Sequence, residues 1–456
     1  MRRHRVLSAL MFFPRGGSAH VARALAGELP RHGWDVTLLS GSRGDLDGHG
    51  DARRFYAGLR PHVVDFTPAL RSGAPLAAPV PMHPSFEDRP GAPDAVMASL
   101  DDDAYERQVA SWELALRDAG AATMDVLHLH HLTPVNEAAR RVAPHVPVVG
   151  HLHGTELLML EAIADGAGWA HGAAWAERMR AWARRCERVV LLSQTAEERA
   201  ERLLGLDPER CLVLPNGFDP EAFRPRAVDR VAHWRRHLVD EPRGWRPHEE
   251  PGSVRYDAAQ VEGLADAIVV MSVGRFTEVK RTPLLVEAFA EAREHVRRPA
   301  ALVVVGGHPG EWEGEHPAET VERIGARDVF LAGWHGHDEL PAFLNASDVM
   351  ALASVREQFG QVLVEAMACG VPPIAVDRFG PGEIVRDGET GWLVEPDDRT
   401  SLAEAIVMAI DDPEERARRA AAARREAGER YSWPALAERL ARTLDEVGAA
   451  GPRPAR

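Results

Sequence analysis

Lysine is almost missing from this chain. Lys280 is its single lysine, and the other 53 of its 54 basic residues are arginine. One compact ammonium therefore stands among many planar guanidinium forks, and the two groups do not hold anions in the same way. A site that keeps the point charge has phosphate as its usual partner. Cysteine is scarce as well. Cys186, Cys211 and Cys369 show no Cys-x-x-Cys spacing, which excludes a zinc knuckle and a disulfide framework and fits a reducing cytoplasm. There is no excess of positive charge, since the formal net charge is −15. Neither nucleic acid nor an anionic membrane is therefore expected as a partner of the whole surface. No apolar run approaches the ~20 residues of a membrane span. The start, MRRHRVLSALMFFPRGG, imitates an export signal, but no cleavage site directly follows the apolar run from Val6 to Phe13. A buried first strand entering a glycine turn is expected instead.

What is present is ordinary globular material, 45% hydrophobic and 27% charged over 456 residues, enough for two or three domains. The first 40 residues read as strand (Val6–Phe13), turn (Pro14–Gly17), a helix capped by Ser18 and ended by Gly33, and strand (Asp35–Leu39). Such a unit belongs to a parallel, doubly wound sheet. Further short apolar runs at Val126–Leu129, Val146–Gly150 and Val189–Ser193 extend it, with a capping box at Thr195–Glu198. A second series of strands follows at Ile268–Val273, Ala301–Gly306, Val329–Leu331, Val349–Leu352 and Pro373–Val376. The fold class is thus α/β, with two Rossmann-like domains over 1–215 and 216–428, hinged near Leu214–Pro220. A final helix within 429–456 is expected to pack back on the first domain, followed by a frayed tail. Two stretches fit no clean element: Thr67–Asp103, read as a Pro-rich loop, and Arg226–Asp266, read as an insertion.

The chemistry concentrates in the second domain. In SVREQFGQVLVEAMACGVPP a helix should begin near Phe359-Gly360, which leaves Glu357 in the preceding loop and Glu365 two turns in. A carboxylate inside the apolar run Val362–Ala368 is costly to bury without a partner. A pair of sugar hydroxyls suits it, because an ionised carboxylate accepts several hydrogen bonds; an internal or surface arginine would serve as well. Gly274, Arg275 and Lys280 lie at the end of the Ile268–Val273 strand, the carboxyl edge where doubly wound folds bind ligands. Arginine plus lysine there can neutralise a diphosphate.

Taken together, GGS…PNGFD…VGRFTEVKR…EQFGQVLVEAMACGVP…GEIVRDGETGWLVEPDD resembles, in order and spacing, the retaining GT-B glycosyltransferases of family four. The likeness runs through roughly 5–40, 125–220 and 268–445. The resemblance implies two Rossmann-like domains facing across a cleft and a nucleotide diphosphate sugar, UDP- or GDP-linked, as donor. It implies that Arg275 and Lys280 hold the diphosphate, Glu365 the ribose and Glu357 the transferred sugar. Backbone amides at Phe359, Gly360 and Gln361 would face sugar or phosphate. Gly16 and Gly17 would approach the diphosphate, and the base would lie beside Gly333-Trp334-His335. His153, in GHLHGTEL, matches the family's histidine at the reacting sugar. One departure is Phe379 in Phe379-Gly380-Pro381-Gly382-Glu383, where a glycine pair is usual and close backbone approach is in question.

Other readings are weaker on their own chemistry. Histidines 128, 130, 131, 151 and 153 are rich in imidazole, but no carboxylate or cysteine accompanies them at ligand spacing, so no metal is expected. A structural or acceptor-orienting role is assigned to His128 and His130. Asp101-Asp102-Asp103 reads as a solvated run in a polar loop rather than a metal motif. Gly16-Gly17 lacks the Gly-x-Gly-x-x-Gly spacing of nicotinamide enzymes. Trp175–Arg188 reads as a packed helix with a wet face rather than a membrane-surface helix. A pyridoxal-dependent phosphorylase would need a Schiff-base lysine, and the one lysine sits in the phosphate loop. A non-catalytic sugar-nucleotide binder remains open. The acceptor is expected to be a small soluble molecule such as a sugar, cyclitol or natural product, with a lipid or cell-envelope acceptor as the alternative.

Overall fold

The computed structural model describes residues 3–14, 16–46, 50–87 and 94–449. Arg15, within the expected glycine turn, and the tail after 449 lie outside the described residues. The chain divides into two compact units, Met1–Asn216 with Trp433–Arg456, and Gly217–Ser432. The division falls one residue beyond the expected 215, and the return to the first unit comes at Trp433 rather than at 429.

The first unit is a seven-stranded parallel sheet in the order β3-β2-β1-β4-β5-β6-β7. Its strands are β1 (His4–Leu10), β2 (Trp34–Ser42), β3 (His62–Asp65), β4 (Val126–His130), β5 (Val148–His151), β6 (Arg188–Leu191) and β7 (Cys211–Val213). The second unit is a six-stranded parallel sheet in the order β10-β9-β8-β11-β12-β13. It contains β8 (Ile268–Gly274), β9 (Ala300–Gly306), β10 (Val329–Gly333), β11 (Val349–Leu352), β12 (Pro373–Val376) and β13 (Trp392–Val394). In both sheets helices connect parallel neighbours, the doubly wound arrangement that covers both faces and explains the near-continuous apolar runs of the central strands. β4 and β9 are buried at every position.

Several local readings are corrected by the structure. The first helix spans Gly17–Glu28 with Gly16 at its N-cap, so Ser18 does not cap it. The helix after β6 is capped by Ser193, whose hydroxyl accepts from the Ala196 amide at 3.1 Å, and Thr195 lies inside it. Asp101 to Asp103 are not loop: Asp101 caps the Asp102–Asp118 helix by accepting from the Ala104 amide at 2.7 Å. Two acids in that first turn suit the positive end of the helix dipole. The Gly172–Arg185 helix buries Trp175 and Trp182, which leaves no apolar face for a membrane surface. Among the described residues, no helix is long and apolar enough to cross a membrane.

The 226–266 segment is built against the sheet edge. Its backbone makes a parallel bridge from Arg243 to Gly333, and the Tyr256 hydroxyl accepts from the Leu331 amide at 2.8 Å. Trp245 is buried and donates its indole N–H to the Gly307 carbonyl at 2.8 Å. β10 would otherwise present unpaired amides as the sheet's edge. The insertion covers them and reaches the loops that follow β9 and β10.

Candidate active site

Within the second unit, the ends of β8 and β9 are pinched together. Gly306 has φ +122, and a Cβ there would lie 2.1 Å from the Gly274 carbonyl oxygen. After β8, Arg275 is exposed, and a short turn (Glu278–Lys280) brings Lys280 back over the strand end. A Cβ on Gly274 would sit 3.7 Å from the Lys280 Cδ, so the lysine stem lies across the glycine. The Val355 amide and the Ser354 hydroxyl both donate to the Val279 carbonyl, at 3.0 and 3.2 Å. These bonds tie the turn to the loop carrying Glu357, and Lys280 Nζ pairs with Glu357 Oε2. Arg275 makes no ion pair among the described residues.

The next helix is Gln361–Ala368, capped by Gly360 at φ +99. A glycine cap has no side chain to occupy the first-turn amides, which leaves backbone donors and the positive end of the dipole at this edge. Phe359 is buried, and close backbone approach is kept one residue after the doubtful position: a Cβ on Gly380 would meet the Phe359 carbonyl oxygen at 2.3 Å. Phe379 itself takes up the strain at φ +54.

Glu365 is 1% exposed. Its partner is neither an arginine nor the surface: Oε1 lies 2.8 Å from His337 Nε2 and accepts from the Gln361 amide side chain at 3.0 Å. Gln361 also donates to the Gly217 carbonyl at 2.6 Å. Of the loop after β10, Trp334 is 45% exposed, whereas the His335 side chain is turned inward. His335 Nδ1 is 3.2 Å from the Arg243 guanidinium and 3.2 Å from Glu339, and burial lowers its pKa. Burial alone would raise the Glu339 pKa, but the Gly336 amide, His335 and Arg243 outweigh it and bring it down to about 2. His335 is thus engaged inside the protein. Trp334 presents its ring outward from this loop, as does the half-exposed His337.

A cavity of about 400 Å³ lies on the other side of the 277–281 turn, lined by Glu278, Arg281, Glu287, Glu315 and Asp397 among others. Three of its carboxylates are already paired, Glu287 and Glu315 with Arg323 and Asp397 with Arg281. It does not include Arg275, Lys280 or Glu357.

In the first unit, Gly16 and Gly17 stand at the start of the first helix after β1. His153 follows β5 and belongs to a packed group of imidazoles. Its Nε2 is 3.0 Å from His130 Nδ1, and its ring stacks on His151 at 4.6 Å and 6°. Burial, then the neighbouring histidines, holds His130, His151 and His153 well below the usual histidine range. The expectation that no carboxylate joins this group is overturned. Glu156 is fully buried, 2.6 Å from His131 Nδ1, and accepts from the His153 amide at 3.2 Å. Its signal was the acid three residues past the histidine, in the first turn of the Thr155–Ala164 helix. Nothing in the sequence marked His337 as the partner of Glu365.

The family described as Glycosyl transferases group 1 matches residues 257–426, and the one described as Glycosyltransferase Family 4 matches 15–222. One match falls on each unit. The chain belongs to the family four, group 1 glycosyltransferases. The chain is 33% identical over 265 residues to the D-inositol 3-phosphate glycosyltransferase of Stackebrandtia nassauensis, covering 56% of this chain and 53% of that protein. It is 26% identical to the alpha-D-kanosaminyltransferase of Streptomyces kanamyceticus, over 66% of this chain and 71% of that one. The chain spans about half the length of most curated relatives it matches. Anabaena HepE, solved in complex with UDP, superposes with a TM-score of 0.66 at 20% identity, over 97% of this chain and 100% of that one. That likeness establishes the fold, the GT-B class with two Rossmann-like units.

Proposed function

We propose that this glycosyltransferase moves a sugar from a nucleotide diphosphate donor, UDP- or GDP-linked, to a small acceptor such as a sugar, cyclitol or natural product. Configuration is retained, and no metal is needed at the diphosphate. The observation that carries this reading is the juxtaposition at one sheet edge of an unpaired Arg275, the Lys280–Glu357 pair and the open helix start at Gly360. Negative charge develops on the departing diphosphate, and fixed positive groups lower the barrier where that charge appears. Arg275, Lys280 and the amides at Gly360 and Gln361 are those groups. Glu365 accepts the ribose hydroxyls, and Trp334 flanks the base. Glu357 meets hydroxyls of the transferred sugar. Its carboxylate is held by Lys280, which suits an orienting group better than a nucleophile. The acceptor therefore attacks on the face from which the diphosphate leaves, and the leaving phosphate takes the acceptor proton. Gly16, Gly17 and His153 are the first unit's proposed contributions to diphosphate and sugar. The relatives' names, for an inositol phosphate and an aminosugar transferase, are in keeping with a cyclitol or natural-product acceptor. The UDP held by Anabaena HepE is in keeping with a nucleoside diphosphate donor.

A thermal-shift panel of UDP, GDP, ADP and TDP with their sugars tests the donor site, since stabilisation follows ligand concentration over dissociation constant. One base series should raise the melting temperature, and the donor it identifies should be turned over with an unchanged anomeric configuration by NMR. If no nucleotide shifts the transition, the donor assignment fails. Glu357→Gln should abolish transfer while nucleotide binding persists; a binding protein without catalysis would show no change.

A further inference from the structure

The imidazole group of the first unit exceeds what sugar transfer asks of it. Side chains alternate along a strand, so His128 and His130 leave β4 on the same face. Parallel register places His151 of β5 beside His130, and Ser8 of β1 beside His128. Three neighbouring strands therefore aim one hydroxyl and three imidazoles at a common point beneath the sheet's carboxyl edge. His128, His130 and His151 are 0%, 1% and 1% exposed. One nitrogen from each lies within 4.8 Å of the other two.

Hydrogen bonding within the protein does not satisfy this arrangement. His128 Nε2 and His151 Nδ1 are 3.1 Å apart, which accounts for one proton. Whichever ring donates it, that ring's other nitrogen is a bare lone pair and the partner ring's other nitrogen carries a hydrogen. His128 Nδ1 and His151 Nε2 have no partner among the described residues. A buried polar atom left unpaired costs about 1–3 kcal/mol, and a fold with only packing at stake would place apolar residues there. A metal between the two nearer nitrogens would leave these outer ones as they are, so the case for it rests on convergence: three imidazoles meeting at one point are the donor set of a first-row divalent cation, and nitrogens about 3.1 Å apart are close to the spacing two ligands take around a tetrahedral metal with bonds of ~2.0–2.1 Å.

Burying a dication also requires negative charge nearby. Glu156, fully buried, supplies it within the same cluster: it bonds His131, whose ring is 4.5 Å from that of His153, which in turn stacks on His151. Ser8 Oγ, 3.2 Å from His130 Nε2, is placed to act as a fourth ligand or to hold a ligated water. The second unit offers a contrast. His237, His335 and Glu339 also bring ligand atoms within 4.8 Å of one another, but the Arg243 guanidinium already bonds both His335 and Glu339. A cation occupies that position by covalent design.

We propose that His128, His130 and His151 form a buried site for a divalent transition metal, zinc by its ligand chemistry, stapling β4 to β5 behind His153. This reverses the expectation that the chain binds no metal, and it stands independently of the donor-site reading. Ligating imidazoles characteristically use their second nitrogen to orient a neighbour. His130, whose Nδ1 is 3.0 Å from His153 Nε2, is in place to do so.

The test uses the full chain stripped by a chelator, dialysed, and titrated with Zn(II) or Co(II) alone. One equivalent of metal should survive gel filtration and raise the melting temperature. The Co(II) form should show the intense visible bands of a four-coordinate centre. X-ray absorption on the Zn(II) form should give three imidazoles at about 2.0–2.1 Å. His128→Ala with His151→Ala should lose the metal, and His237→Ala should keep it. Should the double variant fail to fold, His237→Ala decides: three imidazoles at the same distance in that variant place the metal in the first unit, because His233 beside His237 could otherwise lend the second-unit cluster a third ring. Failure to retain a stoichiometric metal, a six-coordinate Co(II) spectrum, or loss of the metal in His237→Ala alone would each overturn the proposal.

Discussion

Lys280 is held by its stem as well as by its charge: the methylenes lie across Gly274 while the ammonium meets Glu357. A guanidinium in its place keeps the charge but carries a planar fork on a longer arm, and neither the glycine bed nor the single carboxylate contact suits it. Lys280→Arg is therefore expected to lower kcat/KM for the donor by roughly 10- to 100-fold, the loss of about 1.5–3 kcal/mol from a charged hydrogen bond. Unchanged steady-state kinetics with the donor would refute the point-charge role. The glycines beneath it are constrained by geometry alone. Gly306→Ala would force a left-handed φ on alanine, at about 1–3 kcal/mol, and press a methyl group into the Gly274 carbonyl. Its melting temperature should fall even without nucleotide, and a melt equal to wild type would show that the strand ends can part. At this scale the sequence was legible where a residue's oddity was local. A lone lysine, a carboxylate in an apolar run and a histidine after a strand all pointed to themselves. His337 did not, because its partner lies 28 residues away, and the spacing of Glu156 from His153 gave no sign of its bond to His131, 25 residues away, since such pairings across loops exist only in the fold.

Elements were legible by their position in the sheet. The central strands, buried on both faces, appear as apolar runs, and their positions agree with the reading to within a few residues. β3, β7 and β13 went unread because all three are edges, only three or four residues long and only partly buried. The remaining edge, β10, is covered by an insertion whose function no periodicity announces. Its hydroxyl cap gives a direct test: Tyr256→Phe removes the acceptor for the Leu331 amide and strands a buried donor. The unfolding free energy from urea titration should drop by about 1–3 kcal/mol; no drop would mean that solvent or a shifted segment pairs β10. A second test lies at the Pro317–Ile324 helix, whose N-cap is the fully buried His316, with Nδ1 accepting from the Ala318 amide at 3.1 Å. Burial pushes its pKa down to about 4, against about 6.5 for a free imidazole. Below pH 6.5 the unfolded chain binds a proton that the folded chain refuses. Stability from this group is therefore complete above about 6.5 and falls as the pH drops toward 4, by up to roughly 1.4 kcal/mol per unit. Urea midpoints measured from pH 7.5 to 4.5 should fall more steeply for wild type than for His316→Asn. Parallel slopes would mean that His316 titrates freely in the native state.

The whole molecule is stitched by a chain that leaves its first unit at Asn216 and returns at Trp433. The two crossings lie side by side: the Phe218 amide donates to the Tyr431 carbonyl at 2.9 Å. The returning helix, Trp433–Ala449, buries Leu436, Ala437, Leu440, Ala441, Leu444 and Val447. They pack in one cluster with Val6, Val21, Leu25, Leu29 and Trp34, residues more than 390 positions earlier. Arg439 donates to the Val213 carbonyl at 2.6 Å, and the Trp34 indole donates to Asp445 at 3.1 Å. Three leucines and a valine withdrawn from water are each worth about 1.5–3 kcal/mol, an upper bound of roughly 6–12 kcal/mol for the set. That sum rivals the total stability of an ordinary domain. A chain ended after Ser432 should therefore damage the unit that is remote in sequence and spare the one it adjoins. Hydrogen exchange should rise throughout residues 4–29 and 126–151 while β8, β9 and β11 keep their protection. Calorimetry should show one transition lost or shifted down and the other in place. Equal loosening of both units would mean that the helix supports the second unit as much as the first, and the division of the chain at Trp433 would have to be redrawn.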